Sequence, residues 1–488
     1  MSVLRFRPIC GHCLARSASV AFNDLRLSRR HEELLDAMVK HQSNVTYQIS
    51  KDLNTAISRY RFYRNKRVEM EELIDLGCSK TIDVSKDREV LVIGDTTEIN
   101  LSYQYEDILD KERVGVISDN KSPGILAHVH MAIDAQSGEG LGISDLILWS
   151  RQFQSESQDG VKDERVSGER ESYKWILGMK NCKQRLGESQ RLTFIFDREA
   201  DIFQILQTSE ELEVEVLIRS HYNRKVETEQ GKMKIEDFLS SLPWVASYEL
   251  RVSGKKPSRH VRRTPKNLRQ ARETRLDVRF GKCQVQSTLE RSDASASSPK
   301  AIPVYVVEAI ERADLVPPKE RPIHWRLTTT HPIESQEDAL RIIQWYKQRW
   351  QIEQLFRMMK KKGFRIEETE LEYLDSIYKQ TILSFFAAFQ VIQLVLERDQ
   401  EEGRKIEALF TQEQIACLRV LNQKYQGNTL KQKNPHPPDR LAWAAWVIAR
   451  MGGWKGLNSQ GKPGPLTFKR GLERLTHFFD AWTLFNSN

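Results

Sequence analysis

The sequence predicts a mixed α/β chain, with a sheet-bearing core, an inserted antiparallel β region, and helical regions at both ends. Three observations lead there. Two short apolar runs, VLVIGD at 90–95 and LTFIFD at 192–197, have the length and β-branched content of buried strands and each ends in an aspartate. The stretches TRLDVRF and KCQVQSTL, near 274–289, alternate as antiparallel strands do. Helical periodicity dominates from about 25 to 78 and again beyond about 395. At 488 residues the chain is too long for one ordinary core.

Residues 25–78 place Leu34, Leu35, Met38 and Val39 at helical spacing and carry the basic, aromatic stretch RYRFYRNKR at 59–67. Arg61 and Arg64 there are candidate phosphate contacts, although a solvated helix face has the same composition. The first 23 residues lack an acid and include Arg5, Arg7 and Arg16, which suits a basic arm on DNA as well as a transit peptide; the arm is preferred. Six dispersed cysteines, with Cys10 and Cys13 the one close pair, fit a reducing compartment and a cytoplasmic location.

A strand over Val90–Ile93 delivers Asp95. A second, INLSYQY, follows, and a third is ILAHVHMAID, where His128 and His130 share a face and receive no metal role. A helix over 171–186 precedes the strand Leu192–Phe196, which delivers Asp197 and runs into a helix; Arg198 and Glu199 anchor that helix start. VEVLIRS, 214–220, is a further strand. Residues 255–275 carry nine Lys or Arg, Arg262 and Arg263 among them, against one acid, which favours an anionic partner over a merely solvated loop. One long helix is expected from Ser335, with Glu337 and Asp338 in its first turn, to Gly363. The most apolar window, TILSFFAAFQVIQLVL, contains Gln390 and Gln393 and is read as a buried helix; no segment is expected to span a bilayer.

On that long helix, spacings of three, four and seven put Tyr346, Arg349, Glu353, Arg357 and Lys360 on one polar stripe beside an apolar stripe of Trp345, Ile352, Phe356 and Met359. A surface helix laced with ion pairs would show the same pattern. Taken with Asp95 and Asp197, however, Glu353 completes three hard oxygen donors of the kind magnesium or manganese prefers. Thr96 and Thr97 are placed to donate to phosphates or to orient a carboxylate. The net charge of +8 is compatible with a polyanionic partner.

DTTEINLSY, FDREADIF and YKQRWQIEQLFRMMK together resemble the catalytic blocks of DDE transposases of the insertion sequence 4 family, particularly the transposon 5 type. Tyr346, Arg349, Glu353 and Lys360 match that family's signature spacing. The resemblance implies a ribonuclease H-like catalytic domain over 79–395 with a β-rich insertion at about 221–325. It also implies an N-terminal helical DNA-binding domain over 1–78 and a C-terminal helical dimerisation domain over 396–488. It implies Asp95, Asp197 and Glu353 as catalytic metal ligands for two Mg2+ ions, with Mn2+ as substitute, and Trp325, in PPKERPIHWRLTTT, as the aromatic that stacks on a flipped base. The implied activity is cut-and-paste transposition through DNA hairpins. Its partners are double-stranded DNA, as terminal inverted repeats and target, and a second copy of the chain in a paired-end complex, in a bacterial cytoplasm at the nucleoid. A ribonuclease H-like nuclease without strand transfer is the alternative; a non-catalytic DNA-binding relic fits an intact triad less well.

Overall fold

The computed structural model describes residues 22, 24–151, 171–252, 254, 269–287, 301–360, 363–400, 403–429, 432–457 and 460–486. Arg5, Arg7, Cys10, Cys13, Arg16, Arg262 and Arg263 lie outside them, as does most of the basic stretch 255–275. The fold is mixed α/β, and chain contacts divide it into two compact units. One holds the described residues of 1–166, 184–190 and 350–488, the other those of 167–183 and 191–349. Helices from both ends of the chain therefore share a unit with the first strands, a division that differs from the three sequence regions.

The first unit opens with α1 (Leu25–His41), α2 (Leu53–Arg64) and α3 (Met70–Ser85). Asp24 and Asp52 cap α1 and α2 by accepting the backbone N–H of Arg26 and Thr55, which satisfies donors a helix start leaves open. Antiparallel strands β1 (Glu89–Asn100), β2 (Gly124–Asp134) and β3 (Gly140–Trp149) follow. The first expected strand runs on through Asp95, β1 pairing with β2 continuously from Val90↔Asp134 to Asn100↔Gly124, while the second, INLSYQY, is strand only at Ile99 and Asn100 and then turns. Gly94 and Asp95 look like a turn in sequence. Pairing with a fully buried neighbouring strand, together with β-branched Thr96, Thr97 and Ile99, overrides that signal. Asp95 accordingly stands in mid-strand. β3 was not foreseen, because its glycines and Asp145 obscure the apolar period.

The chain continues through α4 (Tyr173–Arg185), β4 (Arg191–Phe196), α5 (Phe203–Leu212), β5 (Glu215–Arg219), β6 (Lys225–Thr228), β7 (Gly231–Lys234), α6 (Ile235–Ser240), β8 (Ala246–Val252), β9 (Arg272–Gln286), β10 (Ala301–Glu311), β11 (His324–Thr329) and α7 (Gln336–Gln348). Within the second unit the strands form a mixed sheet in the order β4-β5-β11-β10-β9-β6-β7, with β8 also on β9. β4 and β5 are parallel, and β5 with β11, β11 with β10, and β10 with β9 are antiparallel. TRLDVRF and KCQVQSTL thus belong largely to a single long strand, β9, continuous through Gly281. Ser335 and Asp338 close a capping box at the start of α7.

The first unit resumes with α8 (Trp350–Met359), α9 (Leu374–Glu397), α10 (Gln412–Tyr425), α11 (Leu441–Met451) and α12 (Pro465–Asn486). The single helix expected over 335–363 is therefore two. Arg349 donates its N–H to the Tyr346 carbonyl, three residues back, at 3.1 Å, which tightens the turn and ends α7. α7 packs on β8, β9 and β10, while α8 packs on β1, α9 and α12. Each helix packs within its own unit. α9 is long and apolar enough to cross a membrane by length and composition, contrary to the expectation that no segment is, yet it is almost wholly buried. It forms the spine of the first unit, with α1, α2, α3, α8, α11, α12 and β3 packed around it.

Two expectations about stability arise here. A Cβ added at Gly363, just past α8, would stand 1.7 Å from the Met358 carbonyl oxygen, whose position is fixed by the Phe364 N–H at 2.6 Å. Gly363→Ala should cost on the order of 2 kcal/mol in chemical denaturation; an unchanged midpoint would show that the backbone relaxes without cost. Burial also pushes His31, His130 and His331 down to about 4 from 6.5. As pH falls from about 6.5 toward 4, the unfolded chain binds protons that the folded chain refuses. Stability should drop by up to about 1.4 kcal/mol per pH unit for each histidine. Denaturation midpoints at pH 7 and pH 5 check this, and equal midpoints would contradict it.

Candidate active site

In the second unit, the parallel register Phe196↔Ile218 makes Asp197 and Arg219 neighbours at the carboxyl ends of β4 and β5. That end of a parallel pair is where α/β folds assemble sites, since both strands release their next residues on the same side. Asp197 is half-buried, and its Oδ1 accepts the Glu199 N–H at 2.9 Å, capping the turn Arg198–Ala200. Four residues further on, buried Asp201 accepts the N–H groups of His221 and Tyr222 at 2.7 and 3.1 Å and also pairs with Arg224, which fixes the chain as it leaves β5.

Arg219 was not singled out from the sequence. Its guanidinium donates to the His324 carbonyl at 3.0 Å and is hydrogen-bonded to the Tyr346 side chain. Burial pushes it below its ordinary value; Tyr346 pulls it back, and the charges of Arg198 and Arg349 push it further down. Arg198 and Arg349 thus add positive charge around Arg219, at the end of the strand parallel to the one that delivers Asp197. The available signal was a basic residue ending the strand VEVLIRS, meaningful only once β5 is known to lie parallel to β4.

Tyr346 was expected on a DNA-facing stripe and is instead buried at 5% exposure. Burial raises its hydroxyl, against the lowering charges of Arg349 and Arg219, and Asp197 adds to the rise. Its ring meets Trp325 edge to face, with centroids 6.0 Å apart and planes at 65°. Trp325, opposite Ala309 in the β10–β11 register, is half-exposed, so it offers ring surface while Tyr346 backs it.

In the first unit, Asp95 and Thr97 share one face of β1, and Thr96 points to the other. The Thr96 N–H donates to Asp95 Oδ1 at 2.8 Å, and Thr96 Oγ1 lies 3.0 Å from His128 Nδ1. Thr97 is buried, which removes it from direct contact with a phosphate in this conformation. Half-buried Glu353 is carried by α8, which packs against β1. Arg357 lies over the Trp350 ring at 5.6 Å, and Lys360 follows the end of α8. On α2, Arg61 and Arg64 are exposed, and Arg64 stacks on Tyr373 at 4.5 Å; Arg59 is buried and serves the core instead.

Three carboxylates are the right chemistry for a hard divalent cation. Among the described residues, however, no three of His, Cys, Asp and Glu already stand together as a metal-binding group. The donor types fit the ion, then, while an assembled cage is not present.

The stretch 179–389, less than half of the chain, contains Asp197, Arg219, Trp325, Tyr346, Arg349 and Glu353, and begins well after Asp95. The mixed α/β architecture is consistent with a ribonuclease H-like core. Residues 179–389 match the family model described as the transposase DDE domain, a likeness that supports a DDE transposase.

Proposed function

We propose that this chain is a cut-and-paste DNA transposase of the insertion sequence 4 type, in which Asp95, Asp197 and Glu353 bind the divalent metal and act on one phosphodiester. The observation behind it is the juxtaposition of Asp197 with Arg219, Arg198 and Arg349 at the end of a parallel strand pair. Several guanidinium groups close to a carboxylate suit an anionic substrate whose charge they share.

Mg2+, or Mn2+ in its place, would activate the attacking oxygen and neutralise the leaving one. Carboxylates destined for one cation repel each other until it arrives, which suits a donor set that the ion itself completes. Arg219, held by Tyr346 and the His324 carbonyl, presents its fork to a non-bridging phosphate oxygen, and Arg349 adds charge beside it. Arg357 and Lys360, on and just after α8, would add further positive charge for the DNA backbone. Each step is an in-line displacement: an oxygen of water or of a freed 3′-OH forms a new P–O bond while the opposite P–O bond breaks and its oxygen leaves protonated. The same groups therefore serve nicking, hairpin formation, hairpin opening and strand transfer. A tight hairpin forces a base out of its stack, and the partly exposed ring of Trp325 offers it a replacement surface. A second copy of the chain holds the other DNA end.

Inverted repeats in the DNA flanking the gene would supply the substrate. Incubated with Mg2+, it should yield 3′-OH ends, hairpins and insertions into a target plasmid; cleavage without insertions would leave a nuclease. Trp325→Ala should slow hairpin formation by roughly fivefold to 150-fold, from about 1–3 kcal/mol of lost stacking, and leave the first nick nearly unchanged. Equal slowing of both steps would remove its stacking role.

A further inference from the structure

Behind Asp95, on the opposite face of β1, a line of polar side chains crosses the three-stranded sheet of the first unit. It starts at Thr96, whose Oγ1 is 3.0 Å from His128 Nδ1 across the β1–β2 register Thr96↔His128. His128 and His130, both fully buried, stand edge to face with centroids 4.6 Å apart. His130 Nδ1 lies 3.8 Å from Asp145 Oδ2 on β3, and Asp145 is bound by the buried guanidinium of Arg185, which also reaches Asp75 at 2.7 Å. The β2–β3 register shifts at His130/Met131, the kind of irregularity that re-aims side chains beside active sites.

Two buried imidazoles and a buried ion pair are expensive inside a sheet, and an apolar replacement would generally hold the strands together at least as well. Their directionality is what an apolar face lacks. We infer that His128 is a positioning residue for the metal-binding site: through Thr96 it fixes the backbone N–H that orients the Asp95 carboxylate. Thr96 links the two faces of β1: its N–H serves Asp95 at 2.8 Å while its hydroxyl lies 3.0 Å from His128 Nδ1. His130, Asp145, Arg185 and Asp75 hold His128 from behind. This inference rests on the proposed role of Asp95 as a metal ligand.

The test is a Mn2+ titration of the full chain without DNA, read by the electron paramagnetic resonance of free Mn2+, on the wild type and on D95A, T96V, H128L, H128N and T96V/H128L. Outer ligand partners typically tune metal affinity by 10- to 100-fold, so H128L and T96V should each weaken Mn2+ binding about tenfold. H128N, whose amide occupies the place of Nδ1, should bind within about twofold of wild type, and T96V/H128L should bind no more weakly than H128L, since both remove one link. A merely structural role would not be rescued by asparagine. Should H128L fail to fold, T96V carries the test, because valine nearly preserves the volume of threonine while removing the hydroxyl that meets His128. If D95A loses Mn2+ while T96V and H128L bind as wild type does, the positioning role is overturned and the site stands. If D95A binds Mn2+ as wild type does, the site assignment itself fails.

Discussion

Asp197→Ala is expected to reduce Mg2+-dependent strand cleavage by about a thousandfold or more while binding to DNA ends changes by less than about threefold. The asymmetry follows from where Asp197 sits. It is half-buried at the tip of β4, and its backbone interactions cap only the short turn Arg198–Ala200. Loss of that cap costs about 1 kcal/mol, too little to unfold the unit. Affinity for DNA is spread over many cations, whereas the chemistry needs each hard oxygen donor. Single-turnover cleavage and an end-binding titration separate the two effects. Cleavage by the variant at the wild-type rate would remove Asp197 from the site.

Arg219→Ala is expected to slow single-turnover cleavage by about a hundredfold, the usual consequence of losing one preorganised donor to a developing oxyanion. Arg219 is constrained on two sides, by the His324 carbonyl at 3.0 Å and by Tyr346, so its fork is aimed before substrate arrives. Arg219→Lys keeps the charge but loses that geometry and should recover only part of the rate. Truncation also strands the buried Tyr346 hydroxyl, which should cost about 1–3 kcal/mol of stability. A cleavage rate within threefold of wild type would reduce Arg219 to a structural role.

Much of the fold was legible because apolar runs of strand length are hard to disguise: LTFIF, VLIR and ILAHVHMAID are β4, β5 and β2. What failed did so for identifiable reasons. Gly94 and Asp95 mimic a turn, and only the register with β2 shows that β1 runs through them. The 335–363 periodicity is continuous in sequence, yet Arg349 divides it, because α7 and α8 answer to different neighbours. That break also explains Tyr346, which helical spacing placed with the bases and packing placed behind Trp325. Arg219 was invisible for the opposite reason: its partners, Tyr346 and the His324 carbonyl, are distant in sequence, and strand order alone brings it beside the end of β4. The carboxylates were legible as residue types, since few other side chains suit a hard cation, but spacing alone does not assemble them.

The most direct test of the three-carboxylate site is strand cleavage by Asp95→Cys, Asp197→Cys and Glu353→Cys in Mg2+ and in Mn2+. A thiolate is a poor ligand for Mg2+ and a more acceptable one for Mn2+. Direct metal ligation predicts cleavage lost in Mg2+ and measurably restored in Mn2+ for each variant. Wild-type rates in Mg2+ for any of the three would contradict its place in the site.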